Sequence, residues 1–129
     1  MKVLLDTHAM LWWWTAPELL SKPILKILSN PATTILASAV SAYEMAYKHH
    51  CGKLILPKGL LEDFAAVLAQ ERWTELPVTI EHTLLAGRLP SPHRDPFDRL
   101  LGAQAIQEKA NLVTVDPAFK TFPGLPVLW

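Results

Sequence analysis

The chain has 129 residues, of which 50% are hydrophobic and 19% charged, a balance that excludes a disordered polymer and fits one domain of ordinary size. Twelve basic residues offset twelve acidic ones, so the bulk positive charge that usually grips nucleic acid is absent, and any such work must rest on a local patch or a bound cation. The lone cysteine, Cys51, excludes an internal disulfide, and no Cys/His spacing suits zinc. A reducing cytoplasm is the expected compartment. The longest uncharged stretch, residues 27–43, carries Asn30, Pro31, three serines and two threonines, which excludes a membrane helix. Asp6 interrupts the apolar start before a signal-peptide core can form.

In chain order, residues 2–6 read as a buried strand and an apolar helix follows through Trp14. Ser21-Lys22-Pro23 has the form of a cap and first-turn proline for a helix to about Leu28. Residues 33–37 form a second strand, and the next helix runs to about Cys51, stopped by Gly52. Leu60, Leu61, Phe64, Ala65 and Leu68 make a helical core stripe. Residues 75–78 are a short strand placed near an edge by Pro77. A helix over 80–88 leads into the loop 89–95, Pro96 opens another helix to about Ala110, and residues 112–115 form a strand. Residues 126–129 close the sheet. Strands alternating with helices predict right-handed crossovers and a parallel sheet covered on both sides. With no repeat and no linker, residues 1–129 read as one α/β domain.

Most of the acids look ordinary. Glu62, Asp63 and Glu71 fall opposite the stripe of residues 60–68. Five others stand apart. Asp6 ends the first strand and Asp116 follows the strand at Leu112; in a parallel sheet these ends share the edge where open α/β folds place ligands. Asp95 and Asp98 open a helix antiparallel to that strand, so they return to the same edge, and Glu44 lies early in the helix after the second strand. Each has a local explanation. Asp6, Asp95 and Asp116 can cap helices, Asp98 can complement a helix dipole, and Ser41-Ala42-Tyr43-Glu44 matches a capping box. Against this, Glu44 falls within a wheel stripe of Val40, Tyr43, Tyr47 and Cys51, and Asp98 borders that of Phe97, Leu101 and Ala105. A carboxylate facing a core requires compensation. Like charges ~4 Å apart repel by ~4 kcal/mol at an effective dielectric of 20, so several at one edge need a counter-ion. All-oxygen donors without thiolates suit Mg²⁺ or Mn²⁺, and such a site suits phosphodiester hydrolysis. No nucleophile elbow or phosphate-binding glycine loop competes.

Leu4-Leu5-Asp6-Thr7-His8 followed by Leu11-Trp12-Trp13 resembles the opening of PIN-domain ribonucleases, specifically the VapC-type toxins of prokaryotic toxin–antitoxin pairs. The run 41–48 with Gly52-Lys53-Leu54 resembles that subfamily's second motif, His93 to Arg99 with Ala103-Gln104-Ala105 the third, and Leu112 to Asp116 the fourth. The resemblance implies a PIN-like three-layer fold and a metal-dependent endoribonuclease whose acids, Asp6, Glu44, Asp98 and Asp116, bind Mg²⁺ or Mn²⁺. Water attack on phosphorus would leave a 5′-phosphate and a 3′-hydroxyl. Asp95 is an additional acid that ligates metal, orients Arg99 or caps its helix, and Thr7 and Thr114 are supporting hydroxyls. His8 stands where the family often carries asparagine.

The resemblance further implies a VapB-type antitoxin that blocks the site and a toxin that dimerises. Trp12, Trp13 and Trp14 span about 200° of a helical wheel and cannot share one core stripe, so a partner interface is expected there; the alternative is a helix sandwiched inside the fold. Arg94, Arg99, Lys48, Lys53 and Lys120 are candidate RNA-phosphate contacts, or else ordinary surface residues or antitoxin contacts. His49, His50, His82 and His93 read as structural or solvent-facing. Two readings from other classes compete. A receiver-type phospho-signalling module would need a lysine ending the last strand, where Leu128-Trp129 stands. A catalytically silent binding partner would use the acids only as caps.

Overall fold

The computed structural model describes residues 1–129. Its elements are β1 (Lys2–Leu5), α1 (Thr7–Thr15), α2 (Lys22–Leu28), β2 (Thr34–Ser38), α3 (Ala39–His50), α4 (Phe64–Glu71), β3 (Thr74–Leu76), α5 (Ile80–Arg88), α6 (Pro96–Gln107), β4 (Asn111–Val113) and β5 (Val127–Leu128), with single 3₁₀ turns at Pro17–Leu19 and Pro117–Thr121. The strands pair in parallel in the order β3-β2-β1-β4-β5. β3 is thus an edge strand, as Pro77 after it requires.

Alternation along the strands produces two cores, one on each face of the sheet. Val3, Leu5, Ile35, Ala37 and Val113 join Met10, Ile24, Met45 and Leu68 on one face. Leu4, Leu36 and Leu112 meet Ala86, Leu101, Ala105 and Phe119 on the other. Strands buried on both faces carry no polar alternation, which is why they read as continuous apolar runs. No helix is long and apolar enough to cross a membrane.

Helix ends follow local chemistry. Ser21 accepts a hydrogen bond from the Ile24 amide at the start of α2. α3 ends at His50, and Gly52 takes the positive φ of 73° that turns the chain away. Several expectations are corrected. Residues 60–63 are turns, with helix beginning only at Phe64, and Ala65 is exposed; the buried side of α4 is Phe64, Val67, Leu68 and Glu71. α6 ends at Gln107 instead of Ala110, because Lys109 adopts φ 53° and breaks the helical run. β4 stops at Val113, since the Thr114 hydroxyl accepts from the Asp116 amide and folds the chain into a turn. The wheel of α3 also differs: Tyr43 and Tyr47 are 61% and 51% exposed, stacked on one another at the surface, and the buried face is Val40, Ser41, Glu44 and Met45.

Candidate active site

At the C-terminal edge of the sheet lies a cleft of about 150 Å³ whose walls include Asp6, Glu44, Asp95, Asp98, Asp116 and Lys48. The five acids come from four stretches of sequence. Asp6 follows β1, Glu44 sits one turn into α3, Asp95 and Asp98 open α6, and Asp116 follows β4. Parallel strands put the first and last of these on one edge, and the return of α6 brings its N-terminus there.

Capping and convergence prove compatible. Asp6 Oδ1 accepts from the Ala9 amide, Asp116 Oδ1 from the Ala118 amide, and Asp95 Oδ1 from the amides of Phe97 and Asp98. Each cap employs one carboxylate oxygen, so the other is not committed to the backbone. Glu44 is different. The cap of α3 is Ser38, which accepts from the Val40 amide, so the expected capping box of Ser41 with Glu44 does not form. Glu44 is 8% exposed. Its Oε1 accepts from the Thr7 hydroxyl at 2.7 Å and its Oε2 from the Lys48 ammonium at 2.6 Å. The Ser41 hydroxyl lies 3.0 Å from that of Thr7. Burial of this glutamate is therefore compensated by two donors.

Asp98 is paired with the His93 Nε2 at 2.7 Å. The imidazole packs edge-on against Phe119 and Phe122. Burial, and then the nearby charges of Asp95 and Asp116, push the Asp98 carboxyl above its ordinary value, against the lowering effect of His93. Asp6, 5% exposed, is likewise pushed up by burial, with Asp98 adding to the rise; hydrogen bonds from Thr114 and the Ala9 amide and the charge of His8 pull the other way. Asp6 thus senses the charge of Asp98, and Asp98 the charges of Asp95 and Asp116, the signature of a site short of positive charge.

The structure brings Asp6, Glu44, Asp95, Asp98 and Asp116 to one cleft, with Thr7 and Thr114 beside Glu44 and Asp6. Lys48 lines the cleft, while Arg94, Lys53 and Lys120 are exposed. Arg99 is a correction. Its guanidinium donates four of its five N–H groups to the carbonyls of Ala86, Leu89, Ser91 and His93, so it holds the end of α5 and the loop after it and is not free to clamp a phosphate with two donors. Asp95 does not orient it; the Asp95 side chain caps α6. The tryptophans meet rings of their own chain. Trp13 and Trp14 pack on Trp73, Trp14 also on Phe64, and Trp12 edge-on against Trp129, leaving each half-buried. Sequence reasoning read His93 as structural or solvent-facing and Ser41 as a helix cap, and so missed their places beside Asp98 and Thr7. The spacing of His93 five positions before Asp98, across a proline-bounded loop, is the signal that could have found the first.

No three of the acidic, histidine and cysteine side chains stand as a closed metal cage; Lys48 and His93 instead sit on Glu44 and Asp98. The donor set nevertheless fits a hard divalent cation: carboxylate oxygens only, raised carboxyls that a cation would relieve, and no thiolate nearby.

Residues 3–125 match the PIN domain family. A curated relative, ribonuclease VapC22 of Mycobacterium tuberculosis, is 30% identical over 115 residues, covering 88% of this chain and 86% of its own. Among solved structures, VapBC2 from Rickettsia felis bound to a promoter DNA fragment superposes with a TM-score of 0.75 at 22% identity, covering 100% of this chain and 99% of that one. DNA-bound VapBC from Salmonella typhimurium gives 0.71 at 17% identity, covering 99% and 97%. At these identities the structural matches speak for the fold. With nearly its whole length matched, the chain belongs to the PIN-domain family and is similar to that family's VapC-type ribonucleases.

Proposed function

We infer that this protein is a divalent-cation-dependent endoribonuclease toxin, neutralised by a cognate VapB-type antitoxin and acting as a single PIN domain over residues 1–129. The observation that carries the reading is the convergence of Asp6, Glu44, Asp98 and Asp116 from four separate stretches into one small cleft. The similarity to ribonuclease VapC22 supports RNA as substrate, and the fold likeness to chains of VapBC complexes supports a VapB-type partner. Homodimerisation is part of the proposal by the same resemblance.

Asp6, Glu44, Asp98 and Asp116 would hold Mg²⁺ or Mn²⁺, with Asp95 at the rim. When bound there, the cation supplies Lewis-acid charge that favours attack on phosphorus and offsets charge on the leaving oxygen. The residues of the chain do the rest. Thr7 and the Ser41 hydroxyl beside it hold Glu44 in place, and His93 orients Asp98. Lys48, already in the cleft, holds a phosphate oxygen. Water adds to phosphorus, the bond to the 3′ oxygen breaks, and that oxygen takes a proton to give a 3′-hydroxyl beside a 5′-phosphate.

The test is expression in growing cells with mapping of new 5′-phosphate RNA ends. The unmodified chain is expected to arrest growth and create discrete ends, and co-expressed antitoxin to suppress both. Asp98→Asn should reduce cleavage at least ~100-fold, beyond the 10–100-fold typical of groups that only support a ligand. Full toxicity of both Asp98→Asn and Asp6→Asn would overturn the assignment of the site.

A further inference from the structure

A second cavity of about 190 Å³ adjoins the acidic cleft. The two share Thr7, His8 and Lys48 as a common wall. The outer wall is aromatic and aliphatic: Trp12, Leu54 and Ile55. The Trp12 ring stands between His8, at 5.9 Å and tilted 53°, and Trp129, at 5.6 Å. Ile55 is 93% exposed at the rim; no packing in the fold explains an isoleucine there. The segment that carries it is nonetheless fixed. The Lys53 amide donates to the Lys48 carbonyl, and the His49 ring donates to the Leu54 carbonyl at 3.0 Å.

A recess with ring and methyl walls, joined through one ammonium to a cleft that cuts phosphodiesters, has the chemistry of a nucleotide subsite. Flat base faces meet Trp12, Leu54 and Ile55, and a phosphate meets Lys48. We propose that this cavity seats the base of one unpaired nucleotide adjacent to the scissile bond, with Lys48 on the intervening phosphate. The proposal rests on the ribonuclease reading of the acidic cleft. Its space is on the scale of a single base. A base held in a duplex is stacked and paired and reaches such a recess only by being extruded, so the cavity selects unpaired positions and discriminates the flanking base. Occupation by a side chain of a protein partner is the competing outcome. The direct opening onto the cleft that cuts phosphodiesters favours RNA; Lys48 at the shared wall is paired with Glu44 and must turn from it to meet a phosphate.

The experiment is a titration of the full chain with Mg²⁺ present, followed by the five tryptophan indole N–H signals, that of Trp12 being assigned with Trp12→Phe. The probes are the four nucleoside 5′-monophosphates and ribose 5-phosphate. At least one nucleotide is expected to move the Trp12 indole and Ile55 amide saturably, while ribose 5-phosphate leaves Trp12 unmoved. Ile55→Asp should weaken that nucleotide roughly tenfold, the scale of losing one buried aliphatic contact. Ile80→Asp, an exposed isoleucine that lines neither cavity, should not. No movement of Trp12 with any nucleotide, or equal movement with ribose 5-phosphate, would overturn the proposal. In cleavage mapping, Ile55→Asp should redistribute the base found beside the cut. Unchanged ends at unchanged rates would remove the subsite while leaving the nuclease in place. Unchanged cleavage combined with escape from the antitoxin would assign the cavity to a protein and likewise overturn the proposal. Absence of cleavage by the unmodified chain counts against the ribonuclease reading itself, and the nucleotide titration then decides the cavity alone.

Discussion

Asp6 serves two masters at the level of a single side chain: it caps α1 through the Ala9 amide and it faces other carboxylates across the cleft. Burial raises its carboxyl above the ordinary value of 3.8, as it does that of Asp98. A group whose folded-state pKa exceeds its unfolded value stabilises the fold fully below the unfolded value and loses that contribution as pH rises through the folded one. In the cation-free chain the contribution of these two acids to the melting temperature should therefore fall as pH climbs from 3.8 toward neutrality. Asp6→Asn keeps an effective cap and removes one buried charge. It is expected to melt higher than the unmodified chain at neutral pH without divalent cations, with a flatter pH dependence, while losing cleavage. Thermal melts across pH, beside the RNA assay, check both halves; a lower melting temperature for Asp6→Asn would contradict the account. Arg99 belongs to the same scale. Four carbonyls accept from its guanidinium, of which Leu89 alone has a backbone donor as well, so Arg99→Met should cost about 2–4 kcal/mol in denaturant unfolding. A loss near zero would mean that the loop is held by other contacts.

At the scale of elements, a polar seam between sheet and helices fixes where α3 begins and ties it to the later turns of α6. Ser38 caps α3 and also donates to Gln104 Oε1 of α6, while the Gln104 amide reaches the Pro77 carbonyl and His82. His82 in turn completes a capping box with Thr79. Ser38 and Gln104 are buried, so each loss leaves a partner unsatisfied. Ser38→Ala should destabilise by about 2 kcal/mol, a cap of ~1 plus the orphaned amide oxygen. Denaturant titration measures it, and an effect under about 0.5 kcal/mol would show that the seam carries little. The elements were also where the sequence was most legible. Continuous apolar runs marked the strands, the period-3.6 stripes, Pro96 and Gly52 marked the helices, and their alternation gave the order. They misled where the physics is tertiary: the tyrosines of α3 looked like core because aromatic residues usually are, yet they stack on each other in solvent. Residues 60–63 carried helical spacing but remain turns.

For the molecule as a whole, neutrality and a parallel sheet frame the function. The convergence of the acids was legible because parallel strand ends and a returning helix share an edge, a consequence of topology alone. What the sequence did not disclose was pairwise: that Lys48 sits on Glu44, that His93 sits on Asp98, and that Arg99 is consumed by its own loop. Lys48 stands four positions after Glu44 on one helix, a spacing the sequence does show, whereas the burial of Glu44 and the carbonyls that take up Arg99 depend on tertiary packing to which periodicity is blind. The two ion pairs also set the expectation for cation binding, since Lys48 and His93 occupy acids that a cation would use. The direct test of the central claim is a calorimetric Mn²⁺ titration of antitoxin-free protein and of Asp98→Asn. It requires no knowledge of the RNA. The account expects saturable binding that Asp98→Asn weakens at least ~10-fold. Binding that is absent in folded protein, or indifferent to Asp98→Asn, would contradict it.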